Sequence, residues 1–99
     1  MDLQNLSPIT PGEMLLEEFI KPMNISQNAL ARTMRVPVDR INAIVHGRRS
    51  ITVDTALRLS VALGTTPEFW LNLQTKYDLE MAKQHMEAQI KREVISLCE

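Results

Sequence analysis

The sequence predicts a small all-α protein, and three observations support this. Prolines directly follow Thr10, Val36 and Thr66, which places each proline in the first turn of a helix, where its missing N–H costs nothing. Apolar residues recur at intervals of three and four, the spacing of one helix face. Two of the three glycines, Gly47 and Gly64, follow such stretches and can end helices in a left-handed conformation. The length of 99 residues suits one domain with a single core.

The first helix is expected to begin at Thr10 and to end near Ile20. Thr10 and Glu13 have the spacing of a capping box, in which both side chains accept hydrogen bonds from backbone N–H groups at the helix start. Pro22 disfavours helical backbone at the residue before it, so residues 22–25 are predicted to connect the first two helices.

Two short helices are predicted next. Ser26 is a suitable N-cap for the second helix, which should run through Met34. The third is expected over residues 37–46 and to end at Gly47. Its apolar residues form a single stripe, consisting of Ile41, Ile44 and Val45.

The last two helices are predicted to be longer. The fourth should follow Thr52 and end at Gly64, with four apolar residues facing the core, namely Ala56, Leu57, Leu59 and Val61. The fifth should begin at Pro67 and can continue as far as Leu97, because neither glycine nor proline follows. At about 1.5 Å per residue it would be roughly 45 Å long, so its distal part should extend beyond the domain.

Charge is distributed unevenly along the chain. The formal net charge of −1 argues against a protein that is basic throughout. Between Ser26 and Arg58, however, six arginines oppose two acidic residues, which makes this segment locally basic. These arginines are Arg32, Arg35, Arg40, Arg48, Arg49 and Arg58. After Thr66 acidic residues predominate, so a basic face and an acidic tail are expected to be separate.

Two short helices joined by a turn of three or four residues match the helix-turn-helix plan, whose second helix enters the major groove of DNA. With the apolar stripe turned inward, the candidate DNA contacts on the third helix are Val38, Asp39, Arg40, Asn42, Ala43 and His46. Asn42 can pair with adenine, Arg40 with guanine, and Ala43 can touch a thymine methyl. Contacts of Asn42 and Arg40 with phosphate or water are the alternative. Asp39 could accept from a cytosine amine or pair with Arg40, and its role is left open.

The residues around this helix are candidates for phosphate contacts. Arg48, Arg49 and Ser50 follow it directly and could bind the backbone beside the groove. Gln27, at the start of the preceding helix, could contact the opposite backbone together with free N–H groups. Such contacts position a protein on DNA without specifying sequence.

Nothing in the sequence indicates catalysis, a metal site, a cofactor or a small-molecule substrate. His46 and His85 lack the spacing of metal ligands, and the single cysteine, Cys98, has no activating histidine nearby. The protein is therefore not expected to be an enzyme. Uninterrupted apolar runs stop at three residues, so neither a signal peptide nor a membrane span is expected, and a cytoplasmic location is the default.

The segment 26–31, Ser-Gln-Asn-Ala-Leu-Ala, together with Val36, Ile41, Ile44 and Gly47, resembles the helix-turn-helix of the phage-repressor (Xre-like) family. Three further segments resemble the HigA-type antitoxins: 11–13 (Pro-Gly-Glu), 47–52 (Gly-Arg-Arg-Ser-Ile-Thr) and, most specifically, 66–74 (Thr-Pro-Glu-Phe-Trp-Leu-Asn-Leu-Gln). The similarity covers a helix-turn-helix DNA-binding domain over residues 7–82. Residues 83–99, a helical tail, match no motif.

The resemblance implies a five-helix, phage-repressor-like fold with an extended C-terminal helix. It also implies a homodimer on palindromic operator DNA, a RelE-like ribonuclease toxin as partner, and autorepression of the shared operon. Arg35 departs from the family, which usually has glycine in a left-handed conformation there; the turn is either strained, by about 1 kcal/mol, or differently shaped.

Partner contacts are expected on the fifth helix and the tail. The stripe Phe69, Trp70, Leu73 and Tyr77 is a candidate dimer or toxin interface, and packing inside the domain is the alternative use of the same residues. Two other functions stay open for the whole chain. It could be a phage-type repressor without a toxin, or an adaptor that has kept the fold without binding DNA.

Overall fold

The computed structural model describes residues 8–98, and the regular elements in that part of the chain are all helical. Helix α1 is α-helical over Pro11–Leu15 and continues as a π-helical turn over Leu16–Ile20. It is followed by α2 (Gln27–Met34), α3 (Val38–Val45), α4 (Val53–Leu63) and α5 (Pro67–Glu93). The predicted all-α, five-helix architecture is confirmed.

Side-chain hydroxyls cap four of the five helices. The hydroxyls of Thr10, Ser26 and Thr66 accept the backbone N–H three residues ahead at 3.0, 2.9 and 3.1 Å, and Thr52 does so at 3.4 Å. Helix α3 begins differently, because Pro37 is its N-cap in extended conformation and not its first helical residue. Local capping chemistry therefore fixes where most of these helices begin.

The core lies where all five helices meet. Its fully buried side chains include Leu15, Ile41, Leu59 and Trp70. Helices α1 and α3 approach backbone to backbone at Gly12, where an added Cβ would lie 1.9 Å from the carbonyl oxygen of Ile44. Glycine is therefore required at this position, and α1 directly supports the C-terminal half of α3.

Helix α4 packs through one side only, which corrects part of the prediction. Ala56 and Leu59 are fully buried as expected, but Leu57 is 51% exposed and Val61 is 87% exposed. At about 100° per residue, Leu57 and Val61 lie on the side opposite Ala56 and Leu59. Together with Val53 they form an apolar stripe on the surface, which we call the α4 stripe.

Helix α5 is long, as predicted, but it ends at Glu93 because Val94 adopts extended backbone. Its buried residues are confined to its first eight positions, where Trp70 and Gln74 face the core. Its distal part extends beyond the domain and contributes to a longest molecular dimension of 52 Å. Within residues 8–98, no helix is both long and apolar enough to cross a bilayer.

Candidate nucleic-acid interface

The turn between α2 and α3 has the left-handed geometry that favours glycine. Arg35 has φ 59° and ψ 46°, and its N–H donates to the carbonyl of Arg32 at 3.2 Å. Of the two shapes predicted for this turn, the strained left-handed one is therefore correct. Arg58 on α4 donates through Nη1 to the carbonyl of Met34 at 2.8 Å, so this neighbouring helix stabilises the end of α2 just before the turn.

Helix α3 turns its apolar stripe inward, as the periodicity predicts. Ile41, Ile44 and Val45 are buried, and the opposite side of the helix faces solvent. Of the candidate DNA contacts, Val38, Asp39 and His46 are exposed, and Asn42 and Ala43 are half-buried. These five residues form one continuous surface along the helix.

Asn42 lies at the centre of this surface and is held on both sides. Its Nδ2 donates to Oε1 of Gln27 at 3.3 Å, and its Oδ1 accepts from Nη2 of Arg48 at 3.0 Å. Because a guanidinium can only donate, the Asn42 oxygen must face Arg48, which fixes the orientation of the amide. One Nδ2 hydrogen and one oxygen lone pair are left to bind a base edge. We call these three residues the Asn42 network.

His46 closes the C-terminal end of the surface. Its Nδ1 lies 2.8 Å from the backbone carbonyl of Asn42. A carbonyl only accepts, so Nδ1 carries the proton and Nε2 is available on the exposed edge of the ring. Nε2 accepts a hydrogen bond when the ring is neutral and donates one when it is protonated.

Arg40, predicted as a guanine contact on a flank of this surface, is held against α4 instead. Its Nη1 is 2.8 Å from Oδ2 of Asp54 on α4, and its side chain is only 22% exposed. Its Nε is buried without a partner among the described residues. Asp54 also accepts from Nε of Arg58 at 3.1 Å. The described residues contain no ion pair between Arg40 and Asp39, so Arg40 pairs with Asp54 and not with its neighbour.

Arg40 and Arg58 both act on the carboxyl group of Asp54, which lies between them. They hold the pKa of the Asp54 carboxyl below its usual value, chiefly through the hydrogen bond from Arg58 and next through that from Arg40. This cluster ties α3 to α4 and, through Arg58, to the end of α2. Arg40 is therefore placed to position the recognition helix.

The loop after α3 is anchored at both ends. Gly47, with φ 75°, ends the helix, and the N–H of Arg48 donates to the carbonyl of Ala43 at 2.8 Å. At the other end, the buried Oε1 of Gln74 on α5 accepts from the N–H of Ile51 at 2.8 Å. The exposed residues Arg49 and Ser50 lie between these anchors.

Gln74 is a functional support that the sequence reasoning missed. Its Nε2 also donates to Oδ1 of Asp78 at 2.9 Å, so both ends of its amide are satisfied. Its signal was its position four residues after Trp70, which places a polar side chain on the core-facing side of α5. A buried amide at such a position requires hydrogen-bond partners, and the loop supplies one of them.

The predicted partner stripe on α5 divides between core and surface. Trp70 is fully buried and donates through Nε1 to Oγ1 of Thr65 at 2.7 Å, so it cannot contact a partner and the prediction is wrong for this residue. Phe69 is 36% exposed and packs edge-on against Trp70, with ring centroids 4.9 Å apart. Leu73 and Tyr77 are half-buried. For Phe69, Leu73 and Tyr77 an interface role remains a prediction.

The side chains of residues 8–98 contain no group of three or more His, Cys, Asp or Glu that could hold a metal ion. The chemistry of this surface is that of hydrogen bonding and positive charge. Two amides, an imidazole and two adjacent arginines are presented along a helix whose other side is anchored in the core. Such a surface suits the edges of bases and the phosphates beside them.

Comparison with known proteins agrees with this geometry. The model of the helix-turn-helix family matches residues 16–70, more than half of the chain. Virulence-associated protein I of Dichelobacter nodosus is 54% identical over 76 residues, which cover 77% of this chain and 70% of that protein. Antitoxin HigA-1 of Vibrio cholerae is 44% identical over 72 residues, 73% of this chain and 68% of that protein. The solved structure of antitoxin GraA in complex with its operator superimposes with a TM-score of 0.88 at 48% identity, covering 95% of each chain.

Proposed function

Because the chain belongs to the helix-turn-helix family and, within it, to the HigA-type antitoxins, we propose that it represses its own operon and neutralises a RelE-like ribonuclease toxin. Proteins of this group are DNA-binding regulators and not enzymes. In our proposal the protein acts in the cytoplasm as a homodimer, and each copy presents α3 to one half of a palindromic operator. Half-sites one helical turn apart, about 34 Å, suit such a dimer.

The observation that carries the DNA-binding part is the Asn42 network. A half-buried amide that is fixed in orientation and left with one donor and one acceptor is prepared to pair with adenine, as Asn commonly does in the major groove. Ala43 beside it is short enough for a thymine methyl. Val38, Asp39 and His46 complete the surface that faces the base pairs.

Phosphate contacts hold this surface in place. Arg48 and Arg49, with Ser50, bind the backbone on one side of the groove, and Gln27 binds it on the other. Gln27 and Arg48 then serve twice, because each also hydrogen-bonds Asn42. Arg40 takes the role of a positioning residue through Asp54 instead of reading guanine.

Both parts of the proposal draw support from similar proteins. GraA binds its operator, and the Vibrio cholerae relative is an antitoxin. An antitoxin needs a toxin, and the RelE-like class is inferred from the resemblance to HigA-type sequences. Phe69, Leu73 and Tyr77 on α5 are the proposed partner contacts nearest the domain.

Two experiments test the proposal. The first measures binding of the full chain to DNA from its own promoter and to random duplexes at about 50 mM salt, where phosphate contacts are strongest. No preference for its own promoter would reject the repressor function and leave a protein-interaction adaptor. The second co-expresses the product of the neighbouring gene and measures its ribonuclease activity with and without this chain. Toxicity that this chain does not relieve, or a neighbour without ribonuclease activity, would reject the antitoxin function and leave a repressor without a toxin.

A further inference from the structure

The ring of His46 is held against α3 and does not extend away from it. Its Nδ1 lies 2.8 Å from the carbonyl oxygen of Asn42, one turn earlier in the helix. This contact folds the ring back over the preceding turn. At about 100° per residue, His46 lies between Asn42 and Ala43 around the helix axis, on the side opposite the core. The ring is therefore part of the surface that faces the base pairs, and its residue is exposed.

The hydrogen bond at Nδ1 is the same in both charge states of the ring. A neutral imidazole held in this way has its proton on Nδ1 and a lone pair on Nε2, whereas the protonated ring has a proton on each nitrogen. Nδ1 donates to the Asn42 carbonyl in either state, so protonation leaves the orientation of the ring unchanged. Only Nε2 changes, from an acceptor to a donor at the same point in space.

We propose that His46 selects the base at one position of the operator through Nε2, and that this selection reverses when the ring is protonated. In the major groove cytosine and adenine present an amine, whereas guanine and thymine present a carbonyl oxygen. The neutral ring accepts from the amine and prefers cytosine or adenine. The protonated ring donates to the carbonyl oxygen and prefers guanine or thymine. Imidazole changes its charge between about pH 5 and pH 8, so both preferences are accessible near neutral pH.

The spacing along α3 indicates which base pair His46 meets. His46 follows Asn42 by four residues, which is a rise of about 6 Å along the helix axis. Successive base pairs of B-DNA are about 3.4 Å apart. With α3 lying along the groove, His46 therefore contacts a base pair one or two steps from the one that Asn42 contacts.

The charged groups around His46 leave its ring without an ion pair among the described residues. Helices α1 and α2 pack against α3, and the loop after α3 follows His46 directly. The charged residues on these elements and on α3 itself are Glu13, Glu17, Glu18, Arg32, Asp39, Arg40, Arg48 and Arg49. Arg48 is held at the Asn42 amide, so protonation of His46 adds a positive charge to the end of the surface that already carries Arg48. This added charge strengthens binding to every duplex alike, whereas a changed base preference requires Nε2.

This inference rests on the proposed DNA-binding function and specifies what His46 recognises. Binding of the full chain is measured by competition among duplexes of its promoter half-site, in which each position carries each of the four base pairs in turn. At pH 8, one position next to the Asn42 contact should favour cytosine or adenine by about two- to tenfold, the effect of one hydrogen bond. At pH 6 the same position should favour guanine or thymine by a similar factor.

Two variants at position 46 separate the two charge states. His46→Lys donates at both pH values, so it should favour guanine or thymine at pH 8 as well. His46→Gln has an amide that donates and accepts, so its preference should be the same at pH 6 and pH 8. A variant that is less stable binds every duplex more weakly and leaves these ratios unchanged, so a loss of stability cannot imitate the expected result.

His85, the only other histidine of the chain, provides the matched control. It lies on the distal part of α5, and His85→Gln should retain the reversal of the wild type. A wild type without reversal, or a reversal that His46→Gln retains, would overturn the inference. Affinity that increases at pH 6 equally on all duplexes would assign His46 to phosphate and overturn it as well. These outcomes leave the proposed repressor intact, whereas a wild type that does not prefer its own promoter at either pH would reject that function itself.

Discussion

Gly12→Ala should be the most damaging single-methyl change in this protein. An ideal Cβ at this position lies 1.9 Å from the carbonyl oxygen of Ile44, 2.7 Å from its carbonyl carbon and 2.9 Å from Cα of Val45. All three atoms are backbone, so no rotamer change can remove the clash. The first distance falls roughly 1.5 Å short of van der Waals contact, and α1 and α3 must separate by about that much.

The expected loss of stability is about 2 kcal/mol. Overpacking of a core costs about 1–3 kcal/mol, and a clash with backbone atoms puts this substitution at the upper end of that range; the better helix propensity of alanine recovers at most about 1 kcal/mol. Because α3 carries the Asn42 network, operator affinity should fall as well. Equilibrium urea unfolding measures the stability, as a lower midpoint with an unchanged slope.

Gly64→Ala provides the matched control. Gly64 has φ 72° and no atom within 4 Å of an added Cβ, so only backbone strain of about 1 kcal/mol is expected. It lies between α4 and α5, and its substitution should leave operator affinity unchanged. A Gly12→Ala protein that is as stable as the wild type would refute the close approach of α1 to α3.

Three further predictions concern other parts of the support for α3. Arg35→Gly should stabilise the protein by up to about 1 kcal/mol in urea unfolding, because it relieves the left-handed backbone; a destabilised variant would contradict this. Gln74→Leu should lower the free energy of unfolding by about 1–3 kcal/mol, because it leaves the N–H of Ile51 unpaired. Asn72→Leu on the exposed side of α5 should leave it nearly unchanged. Equal effects of the two substitutions in thermal unfolding would argue against the role of Gln74 in holding the loop after α3. Asp54 has a lowered pKa, so its contribution to stability is complete above the unfolded value of 3.8 and is lost as the pH falls through the lower folded value. The free energy of unfolding should therefore decrease less steeply with falling pH for Asp54→Asn than for the wild type. Identical slopes would contradict the interaction of Asp54 with Arg40 and Arg58.

Features set by neighbouring residues could be predicted from the sequence. The caps at Thr10 and Ser26 could be predicted because a hydroxyl and the N–H it accepts lie three residues apart, and the starts of α4 and α5 after Thr52 and Thr66 were also predicted. The buried side of α3 followed from its single apolar stripe. The left-handed backbone at Arg35 was anticipated as one of two alternatives.

The predictions that were wrong concern side chains whose placement depends on residues far away in the sequence. The ion pair of Arg40 could not be predicted, because its partner Asp54 lies fourteen positions further on and helical periodicity does not reveal so distant a contact. Helix α4 has apolar residues on both sides, and only packing selects the side of Ala56. The aromatic stripe of α5 gave no sign that Trp70 would be enclosed while Phe69 stayed at the surface.

The most direct test of DNA recognition compares two variants on two DNAs. Binding of Asn42→Ala and Arg49→Ala to the operator and to random duplex is measured over a range of salt concentrations. Asn42→Ala should lose about 1–3 kcal/mol on the operator and almost nothing on random DNA. Arg49→Ala should weaken both alike and reduce the slope of log K against log salt by about one. Equal losses for Asn42→Ala on both DNAs would contradict base reading by the Asn42 network.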